Sequence, residues 1–191
     1  DDPTVVLWEA QTGRLVHAFS RPAGGAFLNS LSFSPDGRLL SSPQRVWDVE
    51  TRAVAFEMPP GVSHLATSPD GLLLAISLTT QPIRLLDTQG WSVVRSVASQ
   101  THIDPTGDDT FGFEFSPDGA ILASGGLDGL ARLFRVADGS LARYLSFASR
   151  SEDVHDLSFS ADGQLLAAGG TTATVRLFRV GDGTLRREIA T

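Results

Sequence analysis

The sequence predicts an all-β fold made of one repeated four-stranded antiparallel unit. Three observations carry this. A first motif recurs four times, as LSFSPDGRLL, LATSPDGLLL, FEFSPDGAIL and LSFSADGQLL, with its serine at Ser34, Ser68, Ser116 and Ser160. A second recurs five times, as VVLWEAQTGRL, RVWDVETRAV, IRLLDTQGWSV, ARLFRVADGSL and VRLFRVGDGTL, with its anchor at Trp8, Trp47, Leu86, Phe134 and Phe178. Successive anchors lie 39, 39, 48 and 44 residues apart, a period that four short strands and four turns fill. Finally, the segments between turns are runs of apolar β-formers such as LLLAISL, as expected of strands covered on both faces.

Each element follows from local chemistry. The first strand of a unit runs into Ser-Pro-Asp-Gly. Proline presets φ near −65°, aspartate bonds nearby backbone, and glycine accepts φ > 0, so the chain reverses into a second strand. Gly125-Gly126 and Gly169-Gly170 fall within second strands and read as places where another backbone comes close. The third strand carries the anchor. It ends in Thr12-Gly13, Asp138-Gly139 or Asp182-Gly183, a second glycine-ended hairpin signal that leads into the fourth strand. Another turn lies at Asp128-Gly129.

Taken together, FSPDG, ASGGLDG, and VRLFRV or RVWDV resemble the WD-repeat β-propeller family, over essentially the whole chain. The resemblance implies four-stranded blades arranged radially. The repeats are divergent. Only Trp47-Asp48 spells the WD dipeptide, and the Gly-His pair that precedes each first strand in the family is missing. Of the family's His-Ser/Thr-Asp-Trp hydrogen-bonded tetrad, Ser124 and Asp128 are the matches that remain, so the blades are expected to be held mainly by apolar packing.

The repeat is also a ruler. The motif serine precedes its anchor by 18 residues at 68–86, 116–134 and 160–178. Measured back from Trp8, the chain starts in the third strand of a blade. The expectation is therefore a partial blade (1–26), of outer strands only, and four complete blades at approximately 27–61, 62–110, 111–153 and 154–191. Such a chain is a fragment of a larger ring, about seven-bladed by resemblance. The remaining blades come from upstream or downstream chain or from another chain. Ser34 to Trp47 is only 13 residues. Either RLLSSPQRVWD is a truncated hairpin, or a loop is missing from the sequence there.

Composition removes several function classes. The chain of 191 residues is 41% hydrophobic and 19% charged, as suits a packed protein. Its net charge of −7 argues against a nucleic-acid grip. No apolar run is long enough for a membrane helix, so no membrane insertion is expected. The absence of cysteine excludes disulfides and thiolate metal sites. All 15 basic residues are arginine, read as a coding bias. His17, His64, His102 and His155 have no ligand spacing, and no nucleophile elbow or phosphate loop occurs. No metal and no cofactor are expected.

The longest connection, SQTHIDPTGDDTF, holds His102, Asp104, Asp108 and Asp109. Three readings stand for it: a solvated surface loop, a partner contact, or a Ca²⁺ loop, although its order does not match an EF-hand. With SRPAGGAF and ASRSED it joins outer to next inner strand, so all three emerge on one rim. The binding candidates there are Arg21, Phe27, His102, Asp104, Asp108, Asp109, Arg150 and Glu152. The functional expectation is a non-catalytic protein-protein interaction scaffold or the sensor region of a larger protein. The alternative is an enzymatic propeller, lactonase-like or peptidase-associated, with a site in the central channel. A cluster of charged residues on the innermost strands, where Glu114 and Asp156 lie, would favour that alternative.

Overall fold

A computed structural model describes residues 4–20, 30–78, 81–97, 112–147 and 153–190. Among these there are eighteen strands and no helix. The first sheet pairs β1 (Thr4–Trp8) with β2 (Leu15–Ser20). Four four-stranded antiparallel sheets follow, each in chain order. They are β3 (Ser32–Phe33), β4 (Leu39–Ser41), β5 (Arg45–Asp48) and β6 (Val54–Glu57); β7 (Val62–Thr67), β8 (Leu73–Leu78), β9 (Gln81–Asp87) and β10 (Val93–Val97); β11 (Phe113–Phe115), β12 (Ile121–Ser124), β13 (Leu130–Arg135) and β14 (Leu141–Ser146); and β15 (Val154–Phe159), β16 (Leu165–Gly170), β17 (Thr174–Arg179) and β18 (Leu185–Ala190). This is the all-β propeller pattern that the repeats imply. Two strands followed by four complete sheets are consistent with a segment of a larger propeller.

The first turn of each complete sheet is one hydrogen-bonded device, repeated. At Ser116 the hydroxyl donates to Asp118 Oδ1 at 2.6 Å and accepts from the Ile121 amide at 2.9 Å. Asp118 Oδ1 also accepts from the Ala120 amide at 3.0 Å, and Gly119, at φ 70°, donates to the Ser116 carbonyl. Ser34, Ser68 and Ser160 repeat the hydroxyl-to-aspartate and amide-to-hydroxyl bonds. These donors hold Asp36, Asp70, Asp118 and Asp162 below the ordinary carboxylate range, the serine hydroxyl being the largest cause.

Register is equally regular. The anchor faces a second-strand leucine in every complete sheet: Leu40↔Trp47, Leu74↔Leu86, Leu122↔Phe134 and Leu166↔Phe178. A bulge precedes the anchor where it meets the fourth strand in β1, β5, β13 and β17. The short segment after Ser41 closes as a hairpin: Ser41 pairs with Val46, and the Ser42 amide donates to the Arg45 carbonyl at 2.8 Å.

The core lies between sheets rather than within them. One cluster joins Val5 and Phe19 to Leu40 and Trp47. Another joins Val46 and Met58 to Leu65, Leu74 and Leu86. A third runs from Ile83, Leu85 and Val97 to Phe115, Leu122 and Phe134, and the last from Leu133 and Leu145 to Leu157, Leu166 and Phe178. The paired glycines mark tight backbone approaches, at Gly125 to the neighbouring sheet and at Gly170 to the residue that leads into β15, its partner strand in the same sheet. A Cβ at Gly125 or Gly170 would collide with the carbonyl of Val154 or Asp153, respectively. Gly169-Gly170 ends β16, whereas Gly125-Gly126 lies just beyond β12.

Candidate interaction site at the start of the inner strands

β3, β7, β11 and β15 lie successively against one another and are the innermost strands. Side chains stitch them together. Ser30 Oγ donates to the Leu65 carbonyl at 3.2 Å, and the hydroxyls of Ser32 and Thr67 are 3.1 Å apart. The Phe159 amide donates to Glu114 Oε2 at 2.7 Å, tying β15 to β11. Ser30, His64, Gly112 and Asp156 each stand four residues before their motif serine and line one recess of ≈270 Å³ together with Leu65, Phe113, His155 and Leu157. Gly112 keeps it open: a Cβ there would stand 3.0 Å from the His155 carbonyl and 3.8 Å from Asp156 Oδ1.

Electrostatics at this recess are mixed. Burial, with Asp156 adding to it, raises the Glu114 carboxyl above its ordinary value, against the lowering effect of the Phe159 amide. Asp156 Oδ1 accepts from the Leu157 amide at 3.0 Å, and His155 Nε2 lies 3.6 Å from Asp153 Oδ2. The His64 amide donates to Ser77 Oγ at 3.1 Å. Among the described residues no group of three or more His, Asp or Glu side chains is arranged to hold a metal ion.

All eight binding candidates, Arg21, Phe27, His102, Asp104, Asp108, Asp109, Arg150 and Glu152, lie outside the described residues. Ser30, Gly112 and Asp153 are the described residues that follow these segments in sequence; Ser30 and Gly112 line the recess, as does His155, two residues after Asp153.

Sequence reasoning missed two features. The polar layer around the recess becomes visible only when the repeats are aligned on their serines and read backwards. The second feature is an arginine two residues before the anchor of each complete sheet: Arg45, Arg84, Arg132 and Arg176. Arg132 and Arg176 are buried. Arg176 pairs with Glu188 at 2.7 Å, and its guanidinium lies 4.8 Å from the Phe147 ring centroid. Arg45 pairs with Glu57 at 2.9 Å. Arg132 binds both carboxylate oxygens of Asp128. Asp128 is thereby engaged by an arginine rather than by a tetrad, and the buried Ser124 hydroxyl has no hydrogen-bond partner among the described residues.

Comparisons with known proteins agree with this geometry. Residues 83–135 and 143–179 match the family described as WD domain, G-beta repeat. The chain is 28% identical over 148 residues to WD repeat-containing protein SL1-17 of Schistosoma mansoni, covering 73% of this chain and 46% of that protein. The chain thus spans about half the length of that curated relative. A solved structure titled "Crystal Structure of Mitotic Checkpoint Complex" contains a chain of the same fold, with TM-score 0.83 at 19% identity over 99% of this chain and 60% of the other. No helix among the described residues is long and apolar enough to cross a membrane. Repeated serine-aspartate turns, anchored third strands, cores between sheets and the two matched segments together make the chain similar to WD-repeat β-propeller proteins, with divergent repeats.

Proposed function

We propose that the chain is a non-catalytic protein-interaction scaffold, residues 1–191 acting as one propeller segment whose contact edge surrounds the axial recess. The observation that carries this reading is that Ser30 and Gly112, which line the recess, follow directly in sequence on two of the long connections, and that His155, also in its wall, follows closely on the third. Rigid sheets beneath and long connections above are the usual division of labour in binding domains. The similarity to WD-repeat proteins adds support, since WD-repeat propellers typically serve as scaffolds for protein partners. The contacts are assigned to Arg21, Phe27, His102, Asp104, Asp108, Asp109, Arg150 and Glu152, which mix charge with one aromatic ring.

Photo-crosslinking in a cell extract tests the edge. A crosslinking residue at position 104 or 150 is expected to capture protein, whereas one at position 118 or 162, in the serine-aspartate turns, is not. The charge reversals Asp109→Arg and Glu152→Arg are expected to remove that capture. Equal capture from both positions, or capture indifferent to the reversals, overturns the assignment.

One observation favours the enzymatic alternative: His64, His155 and Asp156 share the recess, and Glu114, next in chain to its Phe113 wall, has a raised carboxyl. Hydrolysis of a lactone or peptide ester by the purified chain, abolished by both His64→Ala and Glu114→Gln, would establish it. No turnover above buffer would eliminate it.

A further inference from the structure

Inner strands β11 and β15 meet along a seam between two complete sheets, and both wall the recess. Gly112 and Glu114 turn toward β15. Glu114 Oε2 accepts from the Phe159 amide at 2.7 Å, away from the recess lining. At the recess itself Asp156 stands beside Gly112, where a Cβ would lie 3.8 Å from Asp156 Oδ1 and 3.0 Å from the His155 carbonyl. Only a glycine leaves β15 this close. The register between β15 and β16 shifts between Val154 and Asp156, so this stretch of β15 is held less firmly to its own sheet.

The charges around Glu114 are few. β12 carries none, β7 brings His64, and β15 brings His155 and Asp156, with Asp153 just before it and 3.6 Å from His155 Nε2. Elsewhere an arginine answers the acid: Asp48, Glu57, Asp128 and Glu188 each have one. β3, β7, β11 and β15 contain no arginine, so Glu114 and Asp156 face each other across the seam without one. Burial and the Asp156 charge accordingly raise the Glu114 carboxyl. Two carboxyl groups in this position relieve their repulsion by sharing one proton.

We propose that Glu114 is a proton-operated clasp on the recess. Ionised, it holds the Phe159 amide with one oxygen and repels Asp156 with the other, and the recess stands open. Protonated from water, it keeps the Phe159 amide on its carbonyl oxygen and donates its new hydroxyl to the Asp156 carboxylate. That bond draws the 154–156 stretch of β15 toward Gly112 and closes the recess. As regulation of a contact site the clasp rests on the scaffold reading above, but its test uses no partner, so each can fail alone.

A neutral nitroxide dissolved with the chain tests this, because it broadens the NMR signals of protons that solvent reaches. The Gly112 α-proton signals are expected to be broadened at pH 7 and to lose that broadening as pH falls through the titration of the Glu114 side-chain carbon signal. Glu114→Gln carries a donor that needs no proton and is expected to shelter Gly112 at every pH. Asp156→Asn keeps an acceptor for the Leu157 amide, donates to the ionised Glu114, and is expected to shelter Gly112 at pH 7. Dispersed amide spectra check that each variant is folded, and the wild-type titration decides the matter even if one is not. Broadening of Gly112 that is indifferent to pH in the wild-type chain overturns the proposal. So does a response that persists in Glu114→Gln, which would assign it to His64 or His155, and so does a wild-type midpoint that departs from that of Glu114.

Discussion

The Ser116 hydroxyl both donates and accepts, so removing it strips Asp118 of a donor and the Ile121 amide of an acceptor. Ser116→Ala is expected to cost about 1–3 kcal/mol, the usual penalty of an unmet buried group, read as a lower urea midpoint. The same bonds depress the Asp118 carboxyl. Stability from a depressed acid is present above its unfolded value, near ~3.9, and disappears as pH falls through the folded value. Ser116→Ala is therefore expected to flatten the acid limb below about pH 4. Glu114 has the opposite sign: its raised carboxyl favours the folded state at acid pH, and that advantage fades as pH rises through the folded value. Glu114→Gln keeps an acceptor for the Phe159 amide without a charge to bury. It is expected to be neutral or stabilising at pH 7, while Glu114→Ala loses about 1–3 kcal/mol; thermal midpoints at pH 5 and pH 7 separate the two. Arg52, at φ 62° where other turns place glycine, bears a strain of roughly 1–2 kcal/mol. Offset by the greater unfolded-state freedom of glycine, Arg52→Gly is expected to gain about 1 kcal/mol, visible as a higher urea midpoint.

For the strands and turns, the close approach at the end of β16 makes the sharpest prediction. Gly170→Ala is expected to lower the thermal midpoint by several degrees or abolish folding, because the obstructing atom is the Asp153 carbonyl, which is backbone. Gly181→Ala, whose Cβ meets open space, is the matched control and is expected to fold normally. The strands themselves were legible in the sequence because two motifs at fixed spacing set both turn and register, and the short second hairpin was one of two readings left open there. The left-handed Arg52 and Trp91 were not legible. Glycine announces such a position, and in DTQGW the glycine stands one residue before the residue that takes the positive φ. The bulges before the anchors left no sequence signal, since they shift pairing without changing the apolar pattern. Ser124 and Asp128 looked like remnants of a tetrad, but the fate of Asp128 is decided by Arg132, four residues further on. The recess was hidden for a different reason: its lining comes from four sheets, and each contributes only one or two small or polar residues that are unremarkable alone.

In the molecule as a whole, every apolar cluster is shared by two successive sheets and none spans three full sheets. Such a chain is energetically a line of neighbours, in which each sheet owes its order to the one before and the one after. The sheets in the middle have two such neighbours, and the first and last have one each within the described structure. Cooperativity then decays along the line. Fraying begins at β1, β2 and β18 and moves inward, so that amide exchange is expected to be fastest there and slowest in β8, β9, β12 and β13. A thermal midpoint in this molecule is then expected to weigh its middle sheets more than its ends. Loss of its ends is expected to precede loss of its middle, and a partner gripping several connections at once would couple the two.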